Sequence, residues 1–363
     1  MVALRDRDYM DRALQLAERG RGRTSPNPLV GAVVVSSDGV VVGQGYHRRV
    51  GEAHAETIAL DEAGDRARGA TLYCTLEPCC HRGRTGPCVE RIVSAGISRV
   101  VAAVVDPNPL VNGKGVEHLR AHGVAVDVGV ASTEARRLNQ PFFTVMRERR
   151  PFVVLKAAIS VDGYIAEAPG KRTMLTSAEA DRHAHQFRAE VDAIGVGSET
   201  LLVDDPLLTA RGAYRERPLT RVIFDRRLRT PEHAAVLSTL AAGPVMIITS
   251  PAAAASAELI QPLEAKGAQI EIVEGPALRA AFERLAALGI ESLLLEGGSE
   301  VHAAAWDEDL VDLVSIYVCP RVIGAGGVPF LGGRPFDAGK LIDRREERLG
   351  PDTLIEGYVH GPR

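Results

Sequence analysis

The 363-residue sequence has no long apolar run, no large charge excess, no internal repeat and no low-complexity tail. The longest apolar segments, such as residues 100–105, have the length of a β-strand, which argues against a membrane-spanning helix and a membrane partner. The amino-terminal segment is charged and amphipathic, so we expect no secretory signal and a cytoplasmic location. The net charge of −4 gives no sign of a polyanion-binding protein, and we expect no nucleic-acid partner.

Two common signatures are also missing: the glycine-rich fingerprint of a Rossmann domain and the even number of cysteines expected of a disulfide framework. No Gly-x-Gly-x-x-Gly follows the first strand of the second half, so a Rossmann dinucleotide domain is not supported. The number of cysteines is odd, at five, and four of them fall between residues 74 and 88. In a chain without a secretory signal, this clustering favours a metal site in a reducing compartment over disulfide bonds.

The length suggests two domains, and a basic run at residues 147–151 marks a boundary between domains at 1–147 and 148–363. Strand and helix patterns alternate in both halves, which predicts two α/β domains, the first with three layers. Residues 1–150 carry 21 Lys and Arg against 17 Asp and Glu, while the remainder carries 22 against 30. The mild positive balance of the first half suits a small phosphorylated substrate better than a nucleic-acid backbone.

A histidine and two cysteines in the first half, His54, Cys79 and Cys88, are the residue types that bind one zinc ion through three ligands. Three ligands leave a position for water, and Glu56 is placed to move protons on and off that water. His54 and Glu56 converge only if His54 stands at the very start of a helix. Pro78 suits a first helical position, which predicts Cys79 in a first turn, where the helix dipole favours the thiolate. We therefore expect one zinc ion per chain and the removal of an amino group from a ring.

Each of these residues has a plainer interpretation on its own. A single histidine is more often a structural or exposed residue, and Cys79 alone would be a small buried apolar side chain. Cys80 competes with Cys79 as a ligand, although the Pro-Cys pairing favours Cys79, and Cys74 is expected in the core. The joint occurrence of all the elements favours the metal site.

The constellation resembles the zinc-dependent cytidine and deoxycytidylate deaminase superfamily, but eight residues separate Cys79 from Cys88 where two are usual. This spacing, with the segments 26–31, 45–47 and 106–109, resembles the deaminase domain of the bifunctional riboflavin-biosynthesis deaminase/reductase family. The insertion carries cationic residues suited to a phosphate, and for its arginines a solvated loop is the alternative. The resemblance implies substrate contacts at Asn27, His47, His81, Arg84, Asp106 and Asn108, with His47, His81 and Arg84 at the phosphate end. For Asn27 and Asp106, which prolines flank, a plain turn role is the alternative.

The second half resembles the dihydrofolate-reductase-like reductase domain of the same family in segments 156–163, 176–177, 197–200, 204–211, 296–299 and 320–327. The resemblance implies the cofactor NADPH, with contacts at Ile159, Met174, Thr200, Asp204, Arg226, Gly297, Gly298 and Ser299. It implies reductase substrate contacts at Arg172, Arg188, Leu208, Arg211 and Glu296, with Arg188 and Arg211 clamping the sugar phosphate. Positions 172, 174 and 226 depart from the residues usual in the family. Leu208 and Met174, taken singly, are more often core residues.

The function implied is deamination of 2,5-diamino-6-(5-phosphoribosylamino)pyrimidin-4-one, followed by NADPH-dependent reduction of its ribosyl group to ribityl. The alternatives are a nucleoside or tRNA deaminase with an unrelated second domain, a zinc-stabilised binding protein without chemistry, and a chain with only one active half. By resemblance alone, we expect a homodimer or homotetramer.

Overall fold

A computed structural model describes residues 2–81 and 86–361 of the chain. The chain divides into two compact units between Glu148 and Arg149. The predicted boundary after residue 147 lies beside this division. Each unit has its own sheet and its own hydrophobic core.

The first unit contains a five-stranded sheet. Its strands are β1 (Gly31–Val35), β2 (Val41–Tyr46), β3 (Thr71–Cys74), β4 (Arg99–Ala102) and β5 (Ala125–Val128). Its helices are α1 (Val2–Glu18), α2 (Ala55–Ala63), α3 (Cys88–Ser94), α4 (Lys114–Ala121), α5 (Ser132–Leu138) and α6 (Gln140–Glu148), with a 3-10 turn at Gly64–Ala67. The strand order is β2-β1-β3-β4-β5, in which β1 runs antiparallel to β2 and β3, and β3, β4 and β5 are parallel.

Two glycines show that helices cover both faces of this sheet. A Cβ on Gly31 would lie 2.0 Å from the carbonyl oxygen of Ala13 in α1, and one on Gly43 would lie 2.1 Å from that of Ala59 in α2. Residue 31 pairs with residue 46 and residue 34 with residue 43, so Gly31 and Gly43 point to opposite faces of the pleated sheet. Helices α1 and α2 therefore pack on opposite sides, and the three-layer prediction is confirmed.

The second unit contains a nine-stranded sheet and a small two-stranded one. Its strands are β6 (Phe152–Ser160), β7 (Tyr164–Ala166), β8 (Ala193–Gly197), β9 (Thr220–Phe224), β10 (Val245–Thr249), β11 (Gln269–Ile272), β12 (Ser292–Gly297), β13 (Leu313–Cys319), β14 (Val328–Pro329), β15 (Ile342–Leu349) and β16 (Asp352–Tyr358). Its helices are α7 (Ala178–Glu190), α8 (Ser198–Asp204), α9 (Pro251–Ala254), α10 (Ala257–Ala265), α11 (Leu278–Ala287) and α12 (Ser299–Asp307), with 3-10 turns at Ala235–Ala242, Phe330–Gly333 and Ala338–Lys340.

The order of the large sheet is β11-β10-β9-β8-β12-β6-β13-β16-β15. The first seven strands in this order, from β11 across to β13, are all parallel. Buried parallel strands read as near-continuous apolar runs, which is why β6, β8, β9, β10, β12 and β13 were predictable from the sequence, whereas the short and largely unburied β11 was missed. The carboxyl ends of these parallel strands meet at one edge of the sheet, where ligands of open α/β sheets bind. The last two strands, β16 and β15, are antiparallel additions.

Within residues 2–81 and 86–361, every helix is too short or too polar to cross a membrane.

Candidate active sites

The three predicted zinc ligands meet in the first unit. His54 is the residue that caps α2, Cys79 lies in the loop after β3, and Cys88 is the first residue of α3. The Nδ1 atom of His54 is 3.4 Å from the Cys79 sulfur and 3.3 Å from the Cys88 sulfur. One ligand atom from each of the three residues lies within 4.8 Å of the others.

The geometry of these three atoms fits zinc. Tetrahedral zinc with bonds of about 2.3 Å to sulfur and about 2.0 Å to nitrogen places sulfur and nitrogen about 3.5 Å apart. Both measured nitrogen–sulfur distances are close to this separation. Hydrogen bonding from Cys88, with a further contribution from His54, lowers the pKa of the Cys79 thiol and so favours the thiolate that binds metal.

The predicted helical turn at Pro78 and Cys79 is wrong. Residues 77–80 are irregular, and the helix begins only at Cys88, which follows Pro87 in an extended conformation. A helix running on from Pro78 would meet two glycines and Pro87, which break helices. It is therefore Cys88, and not Cys79, that stands in a first helical turn.

Glu56 lies in the first turn of α2, two residues after His54, and is only 4 % exposed. The prediction that His54 stands at the start of this helix is confirmed. Burial, followed by the nearby Cys79, raises the pKa of Glu56 to about 7. A carboxyl group poised near neutral pH is suited to both accepting and donating a proton, and a bound cation would lower this pKa again.

Asn27 and His47, two of the predicted substrate contacts, lie together beside the zinc ligands. The Asn27 amide nitrogen is 3.1 Å from Nε2 of His47, whose Nδ1 is 3.2 Å from the carbonyl oxygen of Ala53. The His47 ring lies edge-on to the His54 ring, with centroids 5.7 Å apart. Burial lowers the pKa of His47, which favours the neutral form of this imidazole.

The segment after β4 carries the predicted contacts Asp106 and Asn108. Asp106 is buried, and its Oδ1 accepts a hydrogen bond of 2.8 Å from the Asn108 backbone. Burial raises the pKa of Asp106 to about 6. His81 is half-buried, with its Nδ1 atom lacking a hydrogen-bond partner among the residues that the structure describes. Arg84 lies outside the described residues.

A cavity of about 810 Å³ opens in the second unit at the carboxyl ends of the parallel strands. Its walls come from β6, from the ends of β8, β9, β10 and β12, and from the start of α12. The volume lies in the range of small-molecule and cofactor pockets. Among the predicted contacts, those that line it are Thr200, Asp204, Arg226, Glu296, Gly298 and Ser299.

The other predicted reductase contacts are outside the lining of this cavity. Arg172 and Met174 are exposed, with Met174 67 % accessible, so the interpretation of Met174 as a core residue is wrong. Leu208 is buried in the core, in agreement with its plainer interpretation. Arg211 is exposed, and its backbone N–H donates to His185. Ile159 and Gly297 lie at the ends of β6 and β12.

The turn between β12 and α12 is built for the close approach of a ligand. A Cβ on Gly297 would lie 2.8 Å from the Cβ of Val196, and Gly298 has a positive φ of 79°. Ser299 then begins α12, so backbone N–H groups stand at the cavity wall. A turn of this kind fits the phosphates of a dinucleotide, and the residues present therefore fit NADPH.

Lys156 lines the cavity but was not among the predicted contacts. Its Nζ is 3.7 Å from Oε2 of Glu296 and 5.2 Å from the centre of the Tyr317 ring. A lysine inside the apolar run of β6 is a signal in the sequence, because such a charge is seldom buried without a partner. Lys156 and Glu296 therefore form an ion pair in the wall of the cavity.

Comparison with known proteins defines the class of each unit. Residues 4–104 match the family described as the cytidine and deoxycytidylate deaminase zinc-binding region, and residues 151–355 match the RibD C-terminal domain. The chain thus joins a zinc-binding deaminase to an NADPH-dependent reductase. It belongs to the RibD family of riboflavin biosynthesis proteins, which are bifunctional deaminase/reductases.

The relatives cover both units. The chain is 43 % identical to riboflavin biosynthesis protein RibD of Aquifex aeolicus over 98 % of this chain and 99 % of that protein. Acinetobacter baumannii RibD superposes with a TM-score of 0.85 at 33 % identity, covering 99 % of this chain and 100 % of that one. A Thermotoga maritima diaminohydroxyphosphoribosylaminopyrimidine deaminase/5-amino-6-(5-phosphoribosylamino)uracil reductase gives 0.81 at 32 % identity, covering 99 % of both chains. These matches do not favour a nucleoside or tRNA deaminase with an unrelated second domain.

Proposed function

We propose that the chain deaminates 2,5-diamino-6-(5-phosphoribosylamino)pyrimidin-4-one and then reduces the ribosyl group of the product to ribityl. The observation that carries the first step is the meeting of His54, Cys79 and Cys88 beside the buried carboxyl of Glu56. We assign deamination to residues 1–147 and reduction to residues 148–363. The similarity to the Thermotoga maritima diaminohydroxyphosphoribosylaminopyrimidine deaminase/5-amino-6-(5-phosphoribosylamino)uracil reductase supports both substrates.

In the deaminase, His54, Cys79 and Cys88 are the proposed ligands. Zinc, when bound, supplies the Lewis acidity that makes a water molecule nucleophilic near neutral pH. Glu56 accepts a proton from the attacking water, passes one to the ring nitrogen and protonates the departing amino group, so that water and the amino-substituted ring become ammonia and a ring carbonyl.

The remaining deaminase contacts hold the substrate in place. Asn27, Asp106 and Asn108 are proposed to contact its base or sugar. His47, His81 and Arg84 are proposed to form the phosphate end of the pocket. The place of His81 and Arg84 in the basic insertion between the two cysteines supports this role.

In the reductase, Thr200, Asp204, Arg226 and the turn from Gly297 to Ser299 are proposed to hold the cofactor, together with Ile159 and Met174. NADPH, when bound, supplies the hydride for C1′ of the opened ribose. The nitrogen attached to this carbon takes up a proton in the same reduction, and the ammonium of Lys156, which lines the cavity beside Glu296, is the proposed donor. Arg172, Leu208 and Arg211 are proposed substrate contacts.

Arg188 donates two hydrogen bonds to Glu296 and one to the Thr209 carbonyl oxygen. These bonds support a structural role for Arg188 in addition to its proposed contact with the sugar phosphate. From the family resemblance, we further propose a cytoplasmic location and a dimer or tetramer. Light scattering would measure the oligomeric state.

The test is a two-step assay on one purified sample with its zinc quantified. We expect about one zinc per chain, ammonia release from the diaminopyrimidinone, and NADPH oxidation only with the deaminated product. Ammonia release from cytidine or tRNA alone would overturn the proposal. Ammonia release without NADPH oxidation would restrict it to the first unit.

A further inference from the structure

Glu77, two residues before the zinc ligand Cys79, is a buried carboxylate that the mechanism above does not use. It is 2 % exposed. Its Oε2 accepts hydrogen bonds from the backbone N–H of Asp106, at 3.1 Å, and of Gly113, at 2.9 Å. Its Oε1 accepts one from the backbone N–H of Val116, at 3.1 Å.

These three donors belong to a single segment, residues 106–116, which runs from the end of β4 into the first turn of α4. Among the described residues, no basic side chain forms an ion pair with Glu77. A buried carboxylate without a cation depends on its N–H donors, since each unmet hydrogen bond leaves its charge poorly solvated. The carboxylate and the segment are therefore fixed to one another.

Close packing reinforces this attachment. A Cβ on Gly115 would lie 2.2 Å from the carbonyl oxygen of Pro78 and 3.0 Å from Oε1 of Glu77. The segment thus rests directly on the residues that lead to Cys79, with no room for a side chain between them. Its position relative to the zinc ligand is set by the Glu77–Pro78 dipeptide.

The same segment carries Asp106 and Asn108. Asn108 N–H donates to Asp106, and Leu110 N–H donates to Asn108 Oδ1 at 3.0 Å, so local turns fix both side chains within the segment. Glu77 then fixes the segment as a whole. We propose that Glu77 is a positioning residue of the deaminase, which holds the Asp106 and Asn108 edge of the substrate pocket at its working distance from the zinc ligands. This inference rests on the proposed deaminase function.

The proposal separates substrate binding from chemistry. Asp106 and Asn108 are proposed to contact the base or sugar of the substrate and to move no proton, so that displacing them removes binding shared by the ground and transition states. Loss of Glu77 should therefore raise KM more than it lowers kcat. A purely structural role would change stability and leave KM alone.

The main variant is Glu77→Gln, which keeps the size of the side chain but turns an amide NH₂ against at least one backbone N–H. The matched control is Glu117→Gln, which removes the same charge from an exposed site on α4. We expect KM for the diaminopyrimidinone to rise at least about tenfold in the Glu77 variant, with kcat within about threefold. Zinc content and NADPH-dependent reduction of the deaminated product should match those of the unaltered chain, and the control should change none of these values.

Gly115→Ala provides an independent arm, because it displaces the same segment and leaves the carboxylate in place. It should reproduce the rise in KM, and it decides the matter if Glu77→Gln does not fold. An unchanged KM in the folded variants, or a joint loss of zinc and kcat, would overturn the positioning role. An unaltered chain that binds zinc but releases no ammonia from this substrate would instead overturn the proposed function.

Discussion

Arg188 binds Glu296 through two hydrogen bonds, 2.6 Å from Nε to Oε1 and 2.7 Å from Nη2 to Oε2. Both side chains are largely withdrawn from solvent, with 15 % and 7 % of their surfaces accessible. Burial alone would raise the pKa of Glu296, but the positive charges of Arg188 and Lys156 lower it to about 2. The lining of the reductase cavity therefore contains a carboxylate that stays ionised at any physiological pH.

The first prediction concerns this pair. Arg188→Met should lower the free energy of unfolding of the second unit by about 3 kcal/mol at pH 6, because it leaves a buried carboxylate without its main partner. The Glu296 pKa is below its ordinary 4.5, so the pair stabilises the fold above that pH and the stabilisation is lost as the pH falls toward 2. The difference between the two proteins should thus shrink between pH 4.5 and 2.

Urea unfolding followed by circular dichroism at several pH values measures this difference. Arg182→Met is the matched control, because Arg182 is on the same helix with a side chain 74 % exposed, and it should change stability by less than about 0.5 kcal/mol. Equal effects of the two substitutions would show that the Arg188–Glu296 pair contributes nothing to the free energy of unfolding.

The second prediction concerns Glu291, a buried carboxyl immediately before β12. Burial, followed by the nearby Asp192 carboxylate, raises its pKa to about 8. In the unfolded chain the group ionises near its ordinary 4.5, so folding becomes less favourable as the pH rises from about 4.5 to 8. Glu291→Gln should therefore raise the free energy of unfolding at pH 9 by about 1–3 kcal/mol and have less effect at pH 5. Thermal melts of both proteins across this range measure the slope, and parallel pH profiles would contradict the assignment.

The zinc ligands were predictable from the sequence because His54, Cys79 and Cys88 are chemically distinctive, and ligand chemistry does not depend on knowing the fold. The helix around Cys79 was not, since Pro at a first helical position permits a helix without requiring one. The attachment of Arg188 to Glu296 was also beyond sequence reasoning. Residues 108 positions apart meet only because β12 and the end of α7 are brought together by the sheet order.

The secondary structure divides in the same way into elements with a local sequence signal, which were predictable, and elements that depend on tertiary pairing, which were not. The buried parallel strand β10 and the helix capped by Ser177 were predictable, because apolar runs and caps are local signals. The hairpin of β15 and β16 was missed. Every residue of β15 except Leu349 is exposed, so that strand has no apolar alternation to reveal it, and its pairing with β16 is a tertiary event.

The third prediction separates two neighbouring cysteines. Cys79→Ser should lower bound zinc well below one per chain, because its sulfur is one of the three converging ligand atoms. Cys80→Ser should leave zinc unchanged, since the Cys80 thiol instead contacts the carbonyl oxygen of Leu110. Metal analysis after gel filtration of each protein measures this, and loss of zinc in the Cys80 variant alone would reassign the ligand.

The fourth prediction uses two adjacent arginines after β9. Arg226 lines the reductase cavity, whereas Arg227, also exposed, is outside its lining. Arg226→Ala should weaken NADP⁺ binding by about tenfold through loss of a charged contact. Arg227→Ala is the matched control and should leave the affinity for NADP⁺ unchanged. Calorimetric titration with NADP⁺ gives both values. Equal affinities in the two variants would remove Arg226 from the cofactor site.

The last prediction isolates proton transfer from metal binding. Glu56→Gln preserves the size of the side chain in its buried position at the start of α2 but removes the ability to accept and return a proton. Deamination should fall by about 10²–10⁴-fold, the range for loss of a general acid–base group. Zinc should stay near one per chain because Glu56 is not among the converging ligands, and NADPH-dependent reduction of the deaminated product should be unaffected because the second unit is unaltered. If zinc were lost along with deamination, Glu56 would be a support of the metal site; if deamination persisted, another group would carry the proton.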